Sequence, residues 1–260
     1  MRKMTKKYNL DKEDTTEILG KTLYRIVALV DIGERIKAGN KGGYIESEKN
    51  LSQEGSSWVF DDAIVYDNAK VYENARVSGK ACVYDNACVR GNAQIYDTAK
   101  INGNARVYGR ACIHGNARVC DNARVYEDAE VSDDVCVYGN AQVFGNGSVQ
   151  DDVRVYGDAT VCEDAWISGN VNVGGNAELC GSARISRRDD YFCVQSFGSA
   201  GRTTTFFRGH YGWRVVCGCF YGTIEGFRQK VKETHGDTPI AQEYLMVADL
   251  MELRAKRRKQ

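Results

Sequence analysis

This chain of 260 residues has one proline, three histidines, four methionines and no charge excess, with 35 Lys+Arg set against 35 Asp+Glu. No apolar run is long enough to span a bilayer, which excludes a helical membrane anchor. Met1 to Lys21 is charged throughout, so no secretory signal is expected. Its ten cysteines lack paired metal-ligand spacing. Reduced thiols in a cytoplasmic protein, with no metal and no cofactor, are the expectation.

Set against these absences is one strong regularity. An aliphatic residue recurs every sixth position from Val59 through Val65, Val71 and Val77 to Leu179 and Ile185, giving 22 hexads without an insertion. Four residues after each comes a small one: Ala69, Ala75, Ala81, Ala87, Ala93, relaxed at Val135, Gly147, Val153 and Val171. In Val65-Tyr66-Asp67-Asn68-Ala69-Lys70, strand alternation points the aliphatic and the small residue inward and their neighbours outward. Corners that tolerate positive φ are supplied by Asp67-Asn68, Gly91-Asn92, Gly103-Asn104 and their equivalents. Three short sides make an 18-residue coil, so the expected architecture is mainly β, a parallel β-helix of about seven coils. At a strand spacing of roughly 4.8 Å it would be about 34 Å long.

The chain divides into three parts: residues 1–56, an N-terminal tail and β cap; 57–186, the helix; and 187–260, a C-terminal α+β module. The cap reads as strand around Tyr24, Ile26, Ala28 and Val30, with turns at Gly39-Asn40 and Gly42-Gly43. The module reads as strands Thr203–Arg208 and Trp213–Phe220, then a helix from Ile224 to Glu233 after Thr223. A second helix opens at Pro239 behind Thr238, with an apolar stripe at Ile240, Tyr244, Leu245, Val247, Ala248, Leu250 and Met251.

Charge is uneven. Residues 57–186 hold 11 Lys+Arg against 18 Asp+Glu, and residues 187–260 hold 13 against 8. An acidic rod argues against nucleic acid wrapped along it, and directs an anionic ligand to the basic C-terminal part, which ends in Arg254-Ala255-Lys256-Arg257-Arg258-Lys259.

Residues 18 apart stack on one face, so the outward slot after each aliphatic forms three ladders. One runs Tyr66, Tyr84, Asn102, Cys120, Tyr138, Tyr156; the second Tyr72, Arg90, Tyr108, Tyr126, Phe144, Cys162; the third Phe60, Ser78, Tyr96, His114, Ser132, Gln150, Ser168. The tyrosines of the first two ladders and Phe144 are candidate oligomer contacts or ligand-stacking groups, or they stiffen the face by cross-strand stacking. Large outward side chains rule out an ice-binding array. His114 is a candidate general base, with no carboxylate on its own ladder to orient it and no extruded loop to build an acceptor pocket. In the C-terminal module Arg202, Thr203, Thr204, Thr205, Arg208, Arg214 and His235 are candidate ligands for a phosphate or carboxylate. The threonines and Val215, Cys217 and Cys219 also suit an ordinary strand.

The aliphatic-x-x-x-small-x pattern resembles the hexapeptide repeat of left-handed parallel β-helix proteins, over about half the chain. That family implies a left-handed coil, a homotrimer about a parallel three-fold axis, and functions from acyl-CoA-dependent acyltransferase (His114 as base) to structural rod. Leu23-Tyr24-Arg25-Ile26-Val27-Ala28-Leu29 and Ala38-Gly39-Asn40-Lys41-Gly42-Gly43-Tyr44-Ile45 look like the lead-in of hexapeptide-repeat proteins of bacteria and phages. Thr203-Thr204-Thr205-Phe206-Phe207-Arg208, Cys217-Gly218-Cys219-Phe220-Tyr221-Gly222 and Thr234-His235-Gly236-Asp237 look like a module fused to such helices in phage and gut-bacterial chains. The resemblance implies a non-catalytic protein, in a bacterial host's cytoplasm, that captures a nucleotide-like anion or a host partner at clefts between protomers or in the basic C-terminal module.

Overall fold

A computed structural model describes residues 6–257, so Arg258 and Lys259 of the basic tail lie outside it. The chain is a parallel β-solenoid of about eight turns, flanked by a small antiparallel hairpin before it and an antiparallel sheet with two helices after it. Three strands open the chain: β1 (Tyr8–Ile18), β2 (Lys21–Ala28) and β3 (Lys41–Ile45). Then come 22 two-residue rungs, from β4 (Trp58–Val59) to β25 (Arg184–Ile185). Each rung pairs in parallel with the rung 18 residues away, as Ile95 does with Val77 and Ile113.

The inward slots carry the stability. Every aliphatic from Val59 to Ile185 and every alanine of the small slot is at most 1% exposed, and burying one such aliphatic fully contributes about 1.5–3 kcal/mol. The corner's positive φ falls on its first residue, as at Asp67 (57°), Glu73 (60°) and Gly91 (71°). Where that residue is acidic, its carboxylate accepts the backbone N–H one coil on. Asp61 takes it from Gly79 (2.9 Å), Glu73 from Gly91 (2.8 Å), Asp97 from Gly115 (3.1 Å) and Asp121 from Gly139 (3.0 Å). Much of the rod's acidity therefore caps its own corners.

The solenoid starts earlier than the hexad count indicates. Tyr44 and Ile45 pair in parallel with Ile64 and Val65, and Leu51 bridges to Val71, adding a turn below the first hexad. Gly42-Gly43, expected as a turn, is strand. A Cβ on Gly42 would sit 2.4 Å from the Val59 carbonyl oxygen and one on Gly43 2.4 Å from that of Ala63, so these glycines allow close approach to the coil. β1 and β2 form an antiparallel hairpin continuing the same sheet.

At the other end, β26 (Tyr191–Phe197), β27 (Arg202–Gly209), β28 (Gly212–Cys217) and β29 (Phe220–Gly222) form an antiparallel sheet in chain order. It meets the last coil through the Ala183–Gly209 bridge and the Glu178 N–H donated to Thr205 Oγ1 (3.1 Å). Helices α1 (Ile224–His235) and α2 (Pro239–Arg257) follow, capped by Thr223 and Thr238 hydroxyls. Phe206, Val215, Phe227, Val231, Tyr244, Ala248 and Met251 form a core separate from the solenoid's. Of the anticipated α2 stripe, Ile240 and Leu250 are exposed, as are Met246 and Leu253. No helix among the described residues is long and apolar enough to cross a membrane.

Candidate functional site

The outward ladders form, but their ring faces are spent on one another. Tyr108 and Tyr126 stack at 4.9 Å and 6°, Tyr126 and Phe144 at 4.8 Å and 6°, and Tyr138 and Tyr156 at 5.3 Å and 10°. Arg90 lies over the Tyr108 ring at 4.8 Å. Along these stacks a ligand meets ring edges, and the stacking itself stiffens the face. Tyr66 stacks on Tyr84 (5.2 Å) but is only 4% exposed, because Leu23 of β2 packs on it with Cys82. The hairpin covers that end of the ladder, so Tyr66 is not available to another copy. Tyr72 turns its hydroxyl to the Cys88 thiol (3.3 Å), and burial pushes it up to about 12.

These contacts follow a diagonal. An outward side chain after the aliphatic meets the residue before the aliphatic on the next coil, 16 positions on: Tyr72 with Cys88, Tyr96 with Cys112, Tyr126 with Gln142. The same step gives His114 the carboxylate that its own ladder lacks. Glu130 Oε1 lies 3.2 Å from His114 Nε2, Asp97 Oδ2 3.9 Å from Nδ1, and the ring lies flat on Tyr96 at 4.7 Å. His114 is thus oriented, contrary to the reading along one ladder.

Cysteines depart from the expectation too. Cys162 and Cys180 are disulfide-bonded. A stacking step of 18 residues brings their Cα atoms to 4.6 Å, within bonding range. The other eight are free thiols, and burial pushes Cys82 up to about 11. No group of three or more His, Cys, Asp or Glu among the described residues could hold a metal.

The C-terminal ligand set is divided by its strand. Arg202 and Arg208 lie at opposite ends of β27, about 20 Å apart at 3.3 Å per residue. Arg208 sits by Asp190 at 4.0 Å, and Arg214 donates to the Trp213 carbonyl (3.1 Å). Thr204 and Thr205 are buried, their hydroxyls directed at the Cys217 and Cys193 sulfurs (3.0 and 3.9 Å). Thr203 is half-buried on the same strand. Arg202 and His235 do converge, in a cavity of about 280 Å³ at the α1 edge of the sheet. Lys230 and Thr234, neither among the candidate ligands read from the sequence, join them; Phe220, Phe227 and Tyr244 make the apolar wall. His235 stacks on Tyr244 at 5.6 Å. Three basic side chains over aromatic rings suit a small anion with a flat or apolar part.

Residues 117–133, about one coil, match the family model described as YdcK Beta solenoid repeat. No curated protein matches the chain.

Proposed function

We propose that the protein is a non-catalytic binding protein, the solenoid serving as scaffold and the C-terminal cavity capturing a small, nucleotide-like anion. The observation carrying this reading is the convergence of Arg202, Lys230 and His235 above Phe227 and Tyr244. Guanidinium and ammonium groups take phosphate oxygens, while the aromatic wall takes a base or comparable ring. The module's likeness to phage and gut-bacterial chains supports capture of a host signal in a bacterial cytoplasm. The hexapeptide-like repeat supports a left-handed coil and a homotrimer, with Tyr84, Tyr108, Tyr126, Phe144, Tyr138 and Tyr156 as candidate contacts beside the exposed Met246, Leu250 and Leu253 of α2. Isothermal titration of the intact protein with a nucleotide panel tests the capture. Saturable heat, weakened at least tenfold by Arg202→Ala, is expected; no heat from any nucleotide overturns the reading.

One observation favours a second reading, acyl transfer from an acyl-CoA. The Glu130–His114 pair has the orientation a general base needs to take a proton from an acceptor hydroxyl or amine. Turnover of acetyl-CoA abolished by His114→Ala would support it, and absence of turnover across amine and hydroxyl acceptors removes it. A plain structural rod is left if neither ligand nor turnover is found.

A further inference from the structure

One solenoid face carries a cation on each of five successive rungs. The rungs centred on Leu51, Val71, Val89, Val107 and Val125 bring Lys49, Lys70, Arg90, Arg106 and Arg124 to a single groove of about 940 Å³. At a rung spacing of roughly 4.8 Å the row is about 19 Å long. Lys49, Lys70, Arg106 and Arg124 are exposed and have no ion-pair or side-chain hydrogen-bond partner among the described residues. Two carboxylates intrude, and both are answered: Asp67 is bonded to Lys21, and Glu73 lies 3.8 Å from Arg90. Farther along the same face the outward residues turn uncharged at Gln142 and Phe144 and then acidic at Glu178, so the row ends abruptly.

Beside the cations runs an amide ladder. Asn68 donates to Asn86 (3.2 Å), Asn86 to Asn104 (3.3 Å) and Asn104 to Asn122 (3.2 Å). Each donation uses one of an amide's two N–H groups, leaving the other for a ligand hydroxyl. The groove therefore offers, at one repeat, a positive charge and a neutral hydrogen-bonding group.

We propose that this groove binds a linear polyuronate, a chain of sugar acids with one carboxylate and free hydroxyls per ring. The repeat selects it among polyanions. Neighbouring phosphates in an oligophosphate share a bridging oxygen and lie closer together than one rung. Acidic side chains on one face of an extended peptide recur at about 6.7 Å, which outruns the rungs. Single-stranded nucleic acid needs free ring faces for its bases, and here Tyr108 and Tyr126 cover each other. Extended 1,4-linked sugar rings repeat close to the strand spacing. A ribbon-like chain presents carboxylates on alternating sides, and the cations flank the inward valines on both: Lys70, Arg106 and Arg124 before them, Arg90 after.

The test titrates the full chain with oligogalacturonates of increasing length, with poly-L-glutamate, inorganic polyphosphate and a neutral glucan as comparisons. Affinity should rise with length up to about five sugars, one per rung, and then level off. Arg106→Gln/Arg124→Gln, checked for unchanged melting, should weaken binding at least tenfold, while Arg202→Ala in the separate C-terminal cavity should leave it unchanged. Equal binding of polyglutamate or polyphosphate at matched charge, no length plateau, indifference to the double variant, or no binding of galacturonates would each overturn the proposal.

Discussion

Lys7 Nζ donates to the Ser57 carbonyl oxygen at 2.9 Å, tying the first strand to the start of the coil through a lysine only 4% exposed. Burial holds its ammonium down at about 8, against an ordinary 10.5. Below pH 8 both folded and unfolded states are protonated, and the folded state bears the whole cost of the buried charge. Between pH 8 and 10.5 the unfolded chain keeps a proton that the folded one has released, so this group's contribution to stability rises with pH. The span is worth up to about 3 kcal/mol. Cys82 works oppositely, its stabilisation fading as pH climbs from 9 toward 11. The lysine is therefore read by difference: from pH 7.5 to 10.5, denaturant melts should move in favour of wild type over Lys7→Met. A pH-independent gap between the two would refute this.

The Cys162–Cys180 bond closes one full coil beside the C-terminal sheet. Thiol titration of the denatured, unreduced protein should find eight reactive groups, not ten. Closing a loop of this size is worth about 3 kcal/mol in the chain-entropy model, so dithiothreitol should lower the denaturation midpoint of wild type. Cys162→Ser/Cys180→Ser should show no such response.

Asp97 does two things at its corner: it adopts φ of 57° and accepts the Gly115 N–H at 3.1 Å. Asp97→Ala loses the acceptor and places an ill-suited residue at positive φ, so a destabilisation of about 1–3 kcal/mol is expected. Asp97→Asn keeps a carbonyl acceptor and tolerates the conformation, and should cost less than half as much. Equal unfolding midpoints for the two variants would contradict the capping role.

Ring stacking should be graded by the number of partners. Tyr126 has two stacked neighbours and Tyr138 one. At about 0.5–1.5 kcal/mol per aromatic pair, Tyr126→Ala should be the more destabilising of the two in chemical denaturation. A larger loss from Tyr138→Ala would mean that the stacks add little.

The solenoid could be read from the residues because both inward slots are chemically narrow: Val119 and Ala123 leave no doubt about their side. β1 could not, since its charged Asp11 to Asp14 stretch carries a bulge over an outer face and only Tyr8 is deeply buried. Glu130 was invisible to a reading along ladders, because side chains lean 16 residues on rather than 18. Lys230 reaches the C-terminal cavity from α1, which no strand alternation foretells, and β27 separates the two arginines that the sequence sets only six residues apart. The cationic row was concealed by summation: its charges sit on one face of a segment whose corner acids outnumber them.

A corner that recurs every six residues, with neighbours every 18, makes this body a screw with a countable thread. Excising residues 133–150 joins Ser132 to Asp151, an aspartate replacing an aspartate, and should shorten the screw by one thread with every column still aligned. Excising only 133–138 keeps all inward slots filled, yet rotates the C-terminal sheet by a third of a turn against the N-terminal hairpin. Evolution could lengthen or trim such a body cheaply in whole threads, and re-aim its two ends in thirds.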